Sequence, residues 1–252
     1  MAVPARISQH KNYFFTRGRL LFKLNRLGKN ASDFFFPQFC VGCSLEGDIL
    51  CVSCLGKLER ISPPFCNRCG LPQNGTGPCR DCSGSGMCID GIRSSLLFKK
   101  LTREIIHQFK YKNLRAFAPF LASLLNESIA NYCLTADALI PVPLHPARLR
   151  GRGYNQAFLL AAELEKLSHI PVYSDILSRT TNTIPQAKTS NSRERRKNMQ
   201  GSFMCKYGKL KDKRVLLIDD VATSGATLDA CAFSLKQAGA VSVWGLTVAR
   251  EV

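Results

Sequence analysis

One run of residues leaves this chain few folds to choose from: Val215-Leu216-Leu217-Ile218, followed without a gap by Asp219-Asp220-Val221-Ala222-Thr223-Ser224-Gly225-Ala226-Thr227-Leu228. Four consecutive large apolar residues suit a strand buried on both faces, as in a parallel sheet. Two carboxylates close that strand, at the end where open α/β sheets bind ligands. A turn of small residues then leads into Thr227–Gln237, which has helical spacing. Such a turn lets backbone amides converge on an anion, and the helix N-terminus favours negative charge. Gly225 permits a close approach or a positive φ, while Thr223, Ser224 and Thr227 supply hydroxyls. Asp219 and Asp220 can accept hydrogen bonds from the vicinal hydroxyls of a sugar, and sit near a magnesium ion on a pyrophosphate. The plainer alternative is an ordinary strand–turn–helix capped by Asp and Thr, but two acids at a buried strand end are costly without a partner. A Walker-type loop is disfavoured, because no Gly-Lys-Ser/Thr follows the turn.

From about Ile89 the sequence alternates helix and strand patterns, which predicts a parallel sheet with helices on its faces. Leu101–Ala130 reads as one or two helices, with Pro119 at a boundary or first-turn position. Ala138–Val142 is a short buried strand, Asn155–Leu167 a helix, Val172–Leu177 a strand and Val241–Val248 a closing strand. Arg179–Lys213 is long, polar and basic, with a brief strand signal at Phe203 and Met204. A stretch that irregular inside a compact domain is functional or mobile.

Ahead of this lie a run of paired cysteines and a change of composition. Eight of the twelve cysteines form four C-x-x-C pairs: Cys40/Cys43, Cys51/Cys54, Cys66/Cys69 and Cys79/Cys82. A disulfide framework does not predict such pairing, whereas zinc knuckles require it. Eight thiolates suffice for two tetrahedral zinc sites. Joining the first pair with the second and the third with the fourth gives two ribbons in tandem; an interleaved pairing stays open. Redox chemistry and an iron–sulfur cluster are weaker readings of the same residues. The chain thus divides into a basic lead-in at 1–36, a double zinc-ribbon module at 37–87 rich in Cys, Gly and Pro, and an α/β domain at 88–252.

Lys plus Arg number 35 against 18 Asp plus Glu, a net charge of +17 in 252 residues. That excess favours polyanionic partners over neutral ones. The lead-in carries Arg6, Lys11, Arg17, Arg19, Lys23, Arg26 and Lys29 against one acid, Asp33. It reads as an amphipathic segment packing on the body, as a nucleic-acid arm, or as a transit-like sequence. Neither a secretory signal nor an apolar run of roughly 18–20 residues appears, so a cytoplasmic protein without a membrane span is expected.

The segment at 214–228 resembles the phosphoribosyl-pyrophosphate (PRPP) signature of type I phosphoribosyltransferases, with Ser224 in place of a Thr. Further motifs tighten the resemblance to the ComF/GntX family. They are F-F-P-x-x-C-x-x-C at Phe35–Cys43, F-K-Y-K at Phe109–Lys112 and P-V-P-L-H-P-x-R-L-R-x-R-G-Y-N-Q-A at Pro141–Ala157. R-T-x-x-T-x-x-Q at Arg179–Gln186, E-R-R-x-N at Glu194–Asn198 and G-S-F at Gly201–Phe203 complete the set. The resemblance implies a type I phosphoribosyltransferase-like parallel sheet flanked by helices. It implies that Asp219 and Asp220 hold ribose hydroxyls, and that Ala222, Thr223, Ser224, Gly225, Ala226 and Thr227 cradle the 5′-phosphate. Arg148 and Arg152 can clamp a pyrophosphate. Gln186, Arg193, Arg195 and Arg196 lie in the long loop that would fold over PRPP, although an outward patch for nucleic acid explains the same charges.

Two functions follow from this. The first is an accessory protein of DNA uptake, with PRPP, single-stranded DNA and other competence proteins as partners. The second is an active phosphoribosyltransferase joining a nucleobase to phosphoribose with loss of pyrophosphate. The first is favoured, because no aromatic platform for a base stands near the loop in sequence and the zinc module occupies the N-terminal hood position.

Overall fold

The computed structural model describes residues 38–112, 114–180, 201–206 and 210–252. In chain order these hold α1 (Val52–Leu55), β1 (Gly91–Leu97), α2 (Lys100–Tyr111), α3 (Ala118–Asn131), β2 (Ala138–Pro141), α4 (Pro146–Arg152) and α5 (Gln156–Ser168). There follow β3 (Leu177–Arg179), β4 (Phe203–Cys205), β5 (Arg214–Ala222), α6 (Ala226–Gln237) and β6 (Ser242–Arg250). Four strands make one parallel sheet in the order β1-β6-β5-β2, and β3 pairs antiparallel with β4 apart from it.

Alternation along β5 explains the layers. Val215 and Leu217 join Leu228 and Leu235 of α6, with Leu177 and Phe203 of the β3–β4 hairpin, in one core. Leu216 and Ile218 point the other way, to Phe109 of α2, Leu121 and Leu125 of α3, and Leu160 and Leu164 of α5. A strand buried on both faces needs the continuous apolar run seen in the sequence, and each fully buried side chain of this size contributes roughly 1.5–3 kcal/mol. On α2 the buried set Thr102, Ile105, Ile106 and Phe109 has helical spacing. It carries the end of that helix, with Lys110 and Tyr111, to the carboxyl end of β5. Pro119 falls in the first turn of α3, where its missing N–H costs nothing.

Two expectations change. The expected strand at Val172–Leu177 reduces to a single bridge between Val172 and Leu139, and the true strand is β3. Ser174 and Asp175, residues that favour turns, carry the chain away from the sheet between them. β5 extends past Ile218 to Ala222, so the two acids lie within the strand and not beyond it. The basic segment at 146–152, read from the sequence only for its arginines, forms α4, with the His145 side chain accepting from Ala147 N at its start and Gly153 in the left-handed region at its end.

Both edges of the sheet are covered. Outside β1, Ile92 N donates to Arg68 O (2.6 Å), Leu97 N to Glu59 O (2.8 Å), and Ile61 N to Ser95 O (3.3 Å). Outside β2, Leu139 N donates to Pro171 O and Tyr173 N to Leu139 O, each at 2.9 Å. No helix among the described residues is long and apolar enough to cross a membrane.

Candidate functional site

Consecutive residues of a strand face opposite sides of the sheet, and this separates the two acids. Asp220 points toward α2, where its Oδ1 meets Lys110 Nζ at 2.7 Å. Only 3% of Asp220 is exposed, and among the described residues nothing donates to its second oxygen, Oδ2. Asp219 points toward α6 and the hairpin. Its Oδ1 accepts the Asp220 backbone N–H at 2.8 Å. It keeps some accessible surface but is closely ringed by protein atoms. Burial first, and then the Asp220 charge, raise its pKa from 3.8 to about 7 against the pull of Lys110 and Arg152. Beneath it, burial and then the same carboxylate hold the buried Cys231 thiol well above its ordinary value.

The turn after β5 exposes Thr223 and Ser224 and buries Gly225 and Ala226, with Thr227 between these extremes. Gly225 takes φ +75°, and a Cβ there would fall 2.8 Å from Ile92 Cδ1. Only glycine therefore lets the turn close against β1. No side chain caps α6 at Gly225, and the Ser224 hydroxyl accepts only a long 3.4 Å bond from Ala226 N. The first acid of the helix, Asp229, is buried and accepts Ile89 N (3.0 Å), so it is committed to the fold. The turn thus presents two exposed hydroxyls and the open start of a twelve-residue helix, next to the acid pair.

Arginines converge on the same place. Arg152, half-buried at the end of α4, donates to Gln156 Oε1 and lies near enough to lower the pKa of Asp219. Arg179 of β3 was not singled out from the sequence. Burial and then the exposed Arg148 lower its pKa, while Cys231 and Asp219 raise it, which places Arg148, Arg179 and Asp219 in one neighbourhood. Lys110 was likewise missed, although it stands in the F-K-Y-K motif. Gln186, Arg193, Arg195 and Arg196 lie outside the described residues, as does the lead-in at 1–36. A groove of about 900 Å³ between the first knuckle and α2, lined by residues such as Val41, Lys57 and Leu101, contains none of the acid-pair or turn residues.

The cysteines form two groups, Cys40/Cys43/Cys51/Cys54 and Cys66/Cys69/Cys79/Cys82, each with its sulfurs within 4.8 Å of one another. This is the tandem pairing. The two knuckles repeat one geometry: Cys40 N donates to Leu45 O and Cys66 N to Leu71 O, each at 2.8 Å. Zinc–thiolate bonds of roughly 2.3 Å in a tetrahedron put sulfurs roughly 3.8 Å apart; Cys43–Cys51 and Cys69–Cys79 are each at 3.7 Å. Burial raises the Cys40 and Cys66 thiols, but main-chain N–H groups outweigh it and bring both to about 6. A thiolate-stabilising four-sulfur cage fits zinc.

The second knuckle abuts the turn after β5. A Cβ on Gly70 would strike Ile92 O at 2.7 Å, and the side chain of the same Ile92 fills the space beside Gly225. Arg250, only 4% exposed, donates to Ala222 O (2.9 Å), while its charge reaches the Cys69 thiol.

A family model described as a double zinc ribbon domain matches residues 31–83. Competence protein F of Haemophilus influenzae is 31% identical over 226 residues, covering 84% of this chain and 97% of that protein. Competence protein ComFC of Bacillus subtilis is 30% identical, covering 80% and 84%. The DNA utilization protein YhgH of Escherichia coli K12 is 28% identical, covering 78% and 89%. Among solved structures, a glutamine PRPP amidotransferase from B. subtilis aligns over 52% of this chain and 26% of its own at 19% identity, with a TM-score of 0.36.

Proposed function

The chain belongs to the competence protein F/ComFC family, and on that premise we propose that it binds a phosphoribosyl ligand of the PRPP type at the acid pair and turn while serving DNA uptake. The observation that carries the reading is the Asp220 carboxylate. A buried acceptor without a donor costs roughly 1–3 kcal/mol, and a ribose hydroxyl would satisfy Oδ2 while Lys110 keeps Oδ1. The 5′-phosphate would lie over Thr223–Thr227 at the start of α6. Magnesium would travel with the pyrophosphate, toward Arg148, Arg152 and Arg179. Single-stranded DNA is the second partner, supported by the charge of +17 and by the competence and DNA-utilization names of the relatives. Action in the cytoplasm, on DNA already imported, fits this reading.

Titration calorimetry with PRPP and magnesium tests the first part. Wild type should bind, and Asp219→Asn/Asp220→Asn should bind at least tenfold more weakly; equal affinities would refute the assignment. For DNA, affinity should fall with salt at roughly 0.7 counterion per phosphate contacted. Undetectable binding at low salt would pass the lead to the transferase reading, which release of pyrophosphate on adding nucleobases would establish directly.

A further inference from the structure

Next along α2 from the lysine that holds Asp220 stands an aromatic ring that the binding reading does not use. Tyr111 ends α2, directly after Lys110, and is 65% exposed. The stripe that anchors α2 to the core ends at Phe109, so Tyr111 is not held out by packing demands on its neighbours. Its surroundings are built. The Arg152 guanidinium lies over the ring at 5.0 Å, and His107, one turn earlier, leans against it at 5.1 Å and 45°. Arg152 is fixed in turn by Gln156, which is 4% exposed. Tyr111 thus touches Arg152, whose charge acts on Asp219, and it stands one residue along α2 from Lys110, which holds Asp220.

An exposed tyrosine alone is unremarkable on a protein surface. A tyrosine bracketed by a guanidinium and an imidazole, beside carboxylates suited to a sugar, presents what a heteroaromatic ring requires. It offers a π face, a cation that stacks on π faces, and donors at the edge. We propose that Tyr111, flanked by Arg152 and His107, is a stacking platform for the nucleobase of a nucleoside 5′-phosphate whose sugar lies at the acid pair. The proposal rests on the phosphoribosyl reading and adds the class of ligand, a nucleotide with an intact base. It also supplies the aromatic platform that the sequence does not place near the loop, since 108 positions separate Tyr111 from Asp219 along the chain (219 minus 111).

Adenosine 5′-monophosphate and ribose 5-phosphate, titrated separately with magnesium, isolate the base. Wild type should bind the nucleotide more tightly than the sugar phosphate. Tyr111→Ala should weaken the nucleotide roughly five- to hundredfold, the range for one base–aromatic stack, and leave ribose 5-phosphate unchanged. Tyr111→Phe, which keeps the ring, should bind both as wild type does. A nucleotide affinity unaltered in Tyr111→Ala, or lost equally in Tyr111→Phe, overturns the platform while the phosphoribosyl reading stands. Failure of wild type to bind ribose 5-phosphate at all overturns that reading, and the platform with it.

Discussion

Replacing Asp219 by asparagine should make the free protein more stable while weakening its hold on a phosphoribosyl ligand. Burial lifts the Asp219 pKa from 3.8 to about 7, with the Asp220 charge second. Between those values the folded chain keeps a proton that the unfolded chain has released, so wild-type stability falls as pH rises through the window and levels off above it. A displacement of about three pH units at roughly 1.4 kcal/mol per unit sets a ceiling of about 4 kcal/mol on the burden at alkaline pH. Asparagine keeps the size and the oxygen that accepts Asp220 N, but it gives up attraction to Lys110 and Arg152 and brings an amide that needs an acceptor. A net gain of about 1–3 kcal/mol at about pH 8.5 is expected, smaller by about 1 kcal/mol at about pH 6. Urea unfolding with zinc present, followed by fluorescence of Trp244, the single tryptophan, reads both values. A variant less stable than wild type at the higher pH, with the same pH slope, would refute the reasoning. In that case Asp219 is ionised in the fold at little cost, and no strain is held for a ligand.

Lys110→Met should destabilise the protein by about 2–4 kcal/mol by stranding the buried Asp220 carboxylate, and adding Asp220→Asn should restore most of the loss in a denaturant double-mutant cycle. Two independent, additive losses would deny the pair. Protein purified without added metal should hold about two zinc ions per chain by elemental analysis, and Cys40→Ser and Cys66→Ser should each lose about one; negligible zinc with disulfides found by mass spectrometry counts against the ligand sets. Gly225→Ala should cost about 1–2 kcal/mol from its positive φ alone, more from the contact with Ile92, and should weaken ribose 5-phosphate binding. Thermal unfolding and calorimetry that match wild type would refute the need for glycine in this turn.

The elements easiest to read from sequence were those whose pattern is local. Val215–Ile218 announced a buried strand because both of its faces are covered, and the four C-x-x-C pairs announced their cages. β1 stayed hidden because Arg93, Ser94 and Ser95 interrupt its apolar character. Their places are set by distant partners: the Thr247 hydroxyl at 2.6 Å from Ser94, the Ser128 hydroxyl at 2.9 Å from Ser95, and the rings of Phe65, Tyr132 and Trp244 around Arg93. α4 stayed hidden because it buries no residue and so carries no periodic stripe. In the site, the acids and the turn were legible as one contiguous motif. Lys110 and Arg179 were not, because only the packing of α2 and the hairpin on the sheet brings them to the acids of β5.

The strand pairing outside β1 has a practical consequence for how this protein is handled. The segments that hydrogen-bond to that edge, Glu59–Ile61 and Arg68, belong to the stretch organised by the cysteine cages. A chelator strong enough to strip the cages would not simply melt a peripheral appendage. It would bare Ile92 and Leu97 amides along a seven-residue strand, a template on which a second chain can add. Metal-starved preparations should therefore precipitate through intermolecular β-pairing, and growth in zinc-poor medium should shift the protein into the insoluble fraction even while the sheet itself remains formed.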